Sequence, residues 1–471
     1  MRCKIILVLP MLLLCVAGSA QNTTRLSLQH CIELAEKNNA ALLNADLDVS
    51  YAKAKKAEAF TYYFPTVNVS SMAIRFQNPL LEIQVSDILG TSDMAQNLNW
   101  YINTAANLYG INTSYSLLQS GYSANVSLMQ PVYAGGKIVN SNRLAKLGIK
   151  AAELQKSLTS KSTNVEIQDK FWQVISLEKK MDVVDSGLSL LDSLYKDVNS
   201  AYKAGLAVET DLNEVGNERN ELRIKRSRLR SGIRLAKMDL LNTIGMKYCI
   251  LESSATNDIP ALDNIIFDDD ELYGLEPSYY YYESEMAADS MEEAELLNLS
   301  VKSHELQKKI ALAEALPQIG IGASYGYGQV VGNPKWNGAI LASIKIPISD
   351  WGKTSHKLRQ EEALRQKAIN DRDFLRKQLM LQVQMLWEEV LLSWEEVLAA
   401  NESVGLKRTI ALQTESDYNA GVATFTQFMK AQLDLNTAET GLIDRRLDYH
   451  NAVNKYLRKR GHSSYVGEDR K

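Results

Sequence analysis

The residues of this chain that suggest chemistry are few, and their spacing fits no reaction. Gly320, Gly322 and Gly326 hint at a phosphate-cradling loop, but Tyr325 stands where GxGxxG needs its third glycine and no helix follows. All three glycines fall on one face of a strand, which points to close packing inside a barrel. Five histidines (His30, His304, His356, His450, His462) are scattered without an HExxH pair, so surface or local hydrogen-bonding roles are expected rather than ligation. The run Asp268-Asp269-Asp270-Glu271 lacks the alternating oxygens and central glycine of a calcium loop and reads as a solvated acidic segment. No Ser/His/Asp or Cys/His set has local support. No enzyme, cofactor or metal is expected.

Two other motifs recur. Gln130-Pro131-Val132-Tyr133-Ala134-Gly135-Gly136-Lys137 returns as Ile346-Pro347-Ile348-Ser349-Asp350-Trp351-Gly352-Lys353, and Tyr202-Lys203-Ala204-Gly205-Leu206 returns as Tyr418-Asn419-Ala420-Gly421-Val422. The same offset of 216 residues separates Pro131 from Pro347 and Gly205 from Gly421. A fixed offset from the proline to the Tyr-x-Ala-Gly turn means that each half builds the same unit.

Long helices must position these turns. Leu144, Leu147, Ala151, Leu154 and Leu158, then Val184, Leu188, Leu191, Tyr195 and Val198, step by threes and fours, as in a coiled coil. Between Lys137 and Tyr202 there is no proline, so the helix would run roughly 100 Å at 1.5 Å per residue. After Gly205 the chain restarts with Leu222, Leu229, Ile233, Ala236 and Leu240 on one face. The second half repeats this from Lys353 to Tyr418 and from Thr424 to about Leu457. Gly205 and Gly421 then serve as left-handed helix caps. Trp387 and Trp394 fall in mid-helix, where packing accounts for them. Trp351, just past a strand, suits either packing or an aromatic belt at a membrane interface.

Before each hairpin the period changes to two. Ile319 to Gly328, Tyr122 to Leu128, and Ile340 to Ile348 alternate apolar with small or polar residues, and Thr66 to Phe76 is a fourth, less regular strand with a bulge expected near Ser70-Ser71. Such alternation marks transmembrane β-strands. Phe64-Pro65 and Leu316-Pro317 end incoming helices, while Pro131 and Pro347 end returning strands. The first strand pair carries an extra Asn-rich loop, 77–121, which is expected to cap an extracellular mouth.

Bulk properties fit an exported chain. At 471 residues, 45% hydrophobic and 23% charged, it is not disordered, and 52 basic against 56 acidic residues leave no footprint for nucleic acid. Residues 1–20 read as a signal peptide, with Arg2 and Lys4, an apolar core and Gly18-Ser19-Ala20. Leu14 before Cys15 argues against lipidation. Removing the signal takes the net charge from −4 to −6. Cys31 and Cys249 remain, either paired or as packing thiols. Four strands cannot close a membrane barrel, so an oligomer must pool them, and three chains would give twelve.

The chain at this point resembles the TolC-like outer-membrane efflux channel family. The carriers are Leu26-Ser27-Leu28-x-x-Cys31-Ile32-x-x-Ala35, the Phe64-Pro65 and Leu316-Pro317 helix ends, Gln130 to Gly136, and the paired Tyr-x-Ala-Gly turns. The resemblance covers nearly the whole mature chain. It implies a mainly α fold with long coiled-coil hairpins forming a periplasmic tunnel. Four strands per chain would join a twelve-stranded barrel in the lipid of the cell outer membrane, in a homotrimer. It also implies a passive exit duct whose tips, at Tyr202, Gly205, Leu206, Tyr418, Gly421 and Val422, dock a periplasmic adaptor serving an inner-membrane transporter of RND or ABC type.

The domains follow as signal peptide 1–20, first repeat 21–245, linker 246–290, second repeat 291–458 and tail 459–471. At the entrance, Asp211 matches the family's acid after the first turn. Gln427 and Lys430 replace the acidic pair after the second, which implies an entrance that attracts cations less. A type I protein secretion duct would share these features. A soluble periplasmic coiled-coil adaptor would show one hairpin and no four alternating strands.

Overall fold

The computed structural model describes residues 24–78, 81–111, 113–117, 120–250, 259–268, 275–284, 291–329 and 334–459. The expected signal peptide, residues 269–271 of the acidic run and the tail from 460 lie outside the described residues. In chain order the elements are β1 (Thr24–Leu26), α1 (Leu28–Asn38), α2 (Ala40–Thr61), β2 (Thr66–Arg75), β3 (Leu81–Gln84), α3 (Val85–Leu89), α4 (Asp93–Tyr109), β4 (Ser114–Leu117) and β5 (Ser120–Ala134). There follow α5 (Lys137–Lys203), α6 (Glu209–Thr243), β6 (Ile265–Phe267), α7 (Glu292–Ala313), β7 (Gln318–Gln329), β8 (Lys335–Lys345), α8 (Lys353–Asn419) and α9 (Phe425–Lys459).

The helices duplicate residue for residue. α5 and α8 are both 67 residues long, and α6 and α9 both 35. Every one of their boundaries obeys the offset of 216, so the repeat extends past the turns to the far helix ends. α2 and α7 are both 22 residues and stand 252 apart, each stopping four residues before its proline. The residue before a proline is pushed out of the α region, and this sets both stops. The larger offset reflects the 77–121 excursion, which makes the first strand connection longer than the second. That segment is not the plain loop expected: the β3–β4 pair, α3 and α4 fold within it. Ser92 caps α4 through a bond from the Ala95 N–H, and Gly110 ends it in the left-handed conformation.

The chain divides into two compact units, one of residues 1–48, 153–295 and 374–471, the other of 49–152 and 296–373. The first holds three apolar clusters. In one, Leu26, Cys31 and Ala35 pack against Phe171, Trp172 and Ile175 of α5 and Leu240, Leu241 and Ile244 of α6. The parallel β1–β6 pair completes it through Ile265 and Phe267. Burying each of its large side chains contributes about 1.5–3 kcal/mol. A second cluster joins Val383 and Val390 of α8 to Tyr449, Val453 and Tyr456 of α9, with the rings of Trp387 and Trp394 tilted against those of Tyr456 and Tyr449 at 5.1 and 5.0 Å. The repeat shows in this packing, since Leu240 and Tyr456 stand 216 apart and both are fully buried. No disulfide joins Cys31 and Cys249, and burial pushes the Cys31 thiol up to about 12.

His450 departs from the surface or hydrogen-bonding role expected of the histidines. It is buried in the first unit with its ring 4.7 Å from that of Trp172, and its Nε2 has no partner among the described residues. The apolar period of α9 places it inward, against the tilted ring of Trp172.

The second unit holds the main sheet, an antiparallel β2-β5-β7-β8 array. β2 pairs with β5 in unbroken register from Thr66 with Met129 to Arg75 with Ser120, so the bulge expected near Ser70-Ser71 is absent. The irregularity falls between Pro131 and Tyr133 instead. Pro131 therefore does not end its strand as expected: β5 continues to Ala134, because the bulge absorbs the missing N–H of proline.

Candidate functional site

At both interhelical turns the backbone closes identically. Gly205 and Gly421 each have φ +75°, a conformation that costs glycine nothing. The Leu206 N–H donates to Ala201 O at 2.8 Å and the Gly205 N–H to Tyr202 O at 2.9 Å. In the second copy, Val422 donates to Asp417 O at 2.8 Å and Gly421 to Tyr418 O at 2.9 Å. This is the Schellman pairing, which satisfies the last carbonyls of each long helix and turns the chain outward. Leu206 (84% exposed) and Val422 (78%) project from the turns, and Tyr202 and Val208 are exposed beside them.

Tyr418, the counterpart of Tyr202, is held differently. Its ring stacks on Phe428 at 5.1 Å and meets Phe425 edge-on at 6.0 Å. Both phenylalanines are buried beneath the turns with Leu194, Val198 and Val215. The first copy has Glu209 and Leu212 at their positions, so Tyr202 lacks that stack and stays exposed.

The expected entrance residues separate into distinct roles. Asp211 lies in the first turn of α6, where its charge suits the helix N-terminus. Gln427 is held in a capping box: the Thr424 N–H donates to its Oε1 at 2.9 Å, and its own N–H donates to Thr424 Oγ1 at 3.3 Å. Thr424-x-x-Gln427 is the sequence signal for that box. Val208, the residue before α6, offers no side-chain cap, so only the second turn is locked this way. Thr424→Ala should cost about 1 kcal/mol locally, read as faster hydrogen exchange at the Gln427 amide. Unchanged protection would count against the cap.

Lys430 is exposed and lines a groove of about 660 Å³ with Thr210, Glu214, Glu218, Thr426 and Asp434. Thr426 Oγ1 donates to Glu214 Oε2 at 3.1 Å, and Asp434 pairs with Lys407 at 2.7 Å. Burial, then Glu221 and Glu214, raise the Glu218 carboxyl above its ordinary range. Sequence reading missed these acids, although Glu214, Glu218 and Glu221 at i, i+4 and i+7 mark one helix face. Lys430 therefore sits among carboxylates.

The sheet has two chemically distinct faces. Ladder partners share a face, so Val67, Val69, Val126, Leu128, Tyr325, Tyr327, Trp336, Ile340 and Ile344 lie together on one. Asn68, Ser70, Ser123, Asn125, Ser127, Ser324 and Asn337 share the other with Gly322, Gly326 and Gly328, and there Ser70 Oγ donates to Asn125 Oδ1 at 2.9 Å. The apolar face stays exposed within the chain, and at one end Trp336 stacks on Tyr325 at 5.3 Å beside Tyr327. Trp351 is 96% exposed at φ +55°, so nothing among the described residues packs it. Neither outer edge, β2 nor β8, has a strand partner among the described residues. No helix among them is long and apolar enough to cross a membrane.

Residues 293–458 match the family model for outer membrane efflux proteins. No curated protein matches the chain. Among solved structures it is similar to a membrane protein from Pseudomonas aeruginosa, with a TM-score of 0.72 and 16% identity over 92% of this chain and 93% of that one. It is similar to the outer membrane protein VceC of Vibrio cholerae, with a TM-score of 0.68 and 15% identity over 92% and 96% of the two chains. It is also similar to the CmeC outer membrane channel of Campylobacter jejuni, with a TM-score of 0.70 and 13% identity over 94% and 88%. Residues 293–458 thus match the outer membrane efflux protein model, and the whole chain has the fold of the TolC-like outer-membrane channels.

Proposed function

We propose that three copies of this chain form a passive exit duct in the outer membrane, and that its turns at Gly205 and Gly421 receive a periplasmic adaptor. The observation that carries this reading is the sheet: four strands, one face mainly apolar and the other mainly small or polar, with neither edge paired among the described residues. Open edges do not survive in lipid, so the strands of several copies must close on one another. Two copies would give eight strands, whose interior side chains fill; three give twelve and leave a passage. Trp351 and the Tyr325–Trp336 cluster suit the aromatic belts of such a barrel.

Energy for transport comes from partners, since the chain has no nucleotide-binding loop. Leu206 and Val422 offer an adaptor exposed apolar side chains on rigid, capped turns. Leu206→Asp combined with Val422→Asp should cut export about tenfold or more while leaving the outer-membrane oligomer at its normal level. Full export by the double variant would sink the docking assignment. Cysteine crosslinking beside Gly205 and Gly421 in cells, followed by identification of the captured transporter, distinguishes small-molecule efflux from type I secretion.

A further inference from the structure

Charge on the main sheet has one sign. The strands β2, β5, β7 and β8 contain Arg75, Lys335 and Lys345 and no aspartate or glutamate. The register decides where these cations face. Lys335 pairs with Gly328, and Gly328 with Ser123; Lys345 pairs with Gln318 at the other end of β8. Both lysines therefore lie on the polar face. Arg75, in line with Ala73 and Val69, lies on the apolar one.

Beside Lys335 the polar face opens into a groove of about 350 Å³, lined by Ser123, Asn125, Ser324 and Asn337 over Gly326 and Gly328. The glycines leave its floor bare, and its walls are hydroxyls and amides that can donate as well as accept hydrogen bonds. The first carboxylate after β8, Asp350, is engaged elsewhere: it accepts from the Thr354 N–H at 2.7 Å, the Gly352 N–H at 3.1 Å and the Thr354 hydroxyl.

We infer that the β-lined section selects anions, with Lys335 and Lys345 as its specificity-determining residues and carboxylate-, sulfate- or phosphate-bearing molecules as the favoured substrate class. This rests on the duct reading, which makes the polar face the lumen. Repeated around the oligomer axis, each lysine becomes a ring of positive charge in a water-filled passage bounded by lipid. Low-dielectric walls focus that field, and rings of lysine or arginine are how anion pores discriminate.

The test uses the full-length protein in planar bilayers under a potassium chloride gradient. Lys335→Gln with Lys345→Gln should lower the chloride-to-potassium permeability ratio about threefold. Lys335→Arg with Lys345→Arg should preserve it, which separates charge from shape. Channels whose ratio ignores the glutamine pair would overturn the inference and leave the duct reading standing. If wild-type protein gives neither a stable oligomer nor conductance, the duct reading fails and the anion filter with it.

Discussion

Valine at Gly326 or Gly328 should all but eliminate the outer-membrane oligomer. A Cβ at 326 would stand 2.6 Å from both Ala124 O and Asn125 Cβ, and one at 328 would stand 2.6 Å from Tyr122 O and 2.9 Å from Ser123 Cα. Two of these neighbours are carbonyls of β5, the strand that β7 must pair with, so no side-chain rotation relieves the clash. Overpacking a close-packed site costs about 1–3 kcal/mol even where side chains can shift, and here the ladder itself must separate. The crowding falls on the polar face, as expected if the sheet curls with that face inward.

We expect at least about a tenfold fall in heat-resistant oligomer in the outer-membrane fraction for either valine variant. Gly148→Ala is the matched control. It lies within α5 with open space around its Cβ position and should be neutral or stabilising by up to about 1 kcal/mol. Normal assembly of Gly326→Val would show that the sheet does not curl as described.

Acidification should destabilise the first unit through His450. Burial lowers the pKa of this histidine to about 4, against about 6.5 in an unfolded chain. As pH falls below 6.5 the unfolded chain takes up a proton that the fold refuses, so stability drops until pH reaches about 4. The full loss is roughly 3 kcal/mol per chain.

Asp169 works in the opposite direction. Burial raises its pKa to about 6, while Lys455 and Arg458 pull it down and Glu166 adds to the rise. The folded chain therefore binds that proton first, and stability rises as pH falls from about 6 towards the ordinary carboxylate range. Asp169 is partly solvated, so its share is the smaller. His450→Leu should flatten the acid limb of a denaturant-midpoint curve between pH 7 and 4.5, and Asp169→Asn should steepen it. Equal acid sensitivity in wild type and His450→Leu would rule out this assignment.

Local patterns made most of the architecture legible. The 3.6-residue period of Leu144 to Val198, the absence of proline, and Gly205 and Gly421 define helices and caps through contacts between near neighbours, so the chain states them directly. The alternation in β5, β7 and β8 declared which residues share a face for the same reason. The excursion at 77–121 was harder to read, because Asn-rich composition resembles a loop until Ser92 and Gly110 are seen as the caps of α4. The bulge was misplaced because β2 mixes apolar and polar residues towards Arg75, and only its partner strand reveals an unbroken register.

The sequence alone determined the duplication, the helical hairpins with their turns, and a set of strands too few to close. Only the tertiary structure decided that Lys335 and Lys345 share a face with the glycines, that Lys430 stands among Glu214, Glu218 and Asp434, and that His450 is buried against Trp172. The reason is physical. Helix period and caps are written within a few residues, whereas register, burial and electrostatic neighbours depend on which distant segments meet.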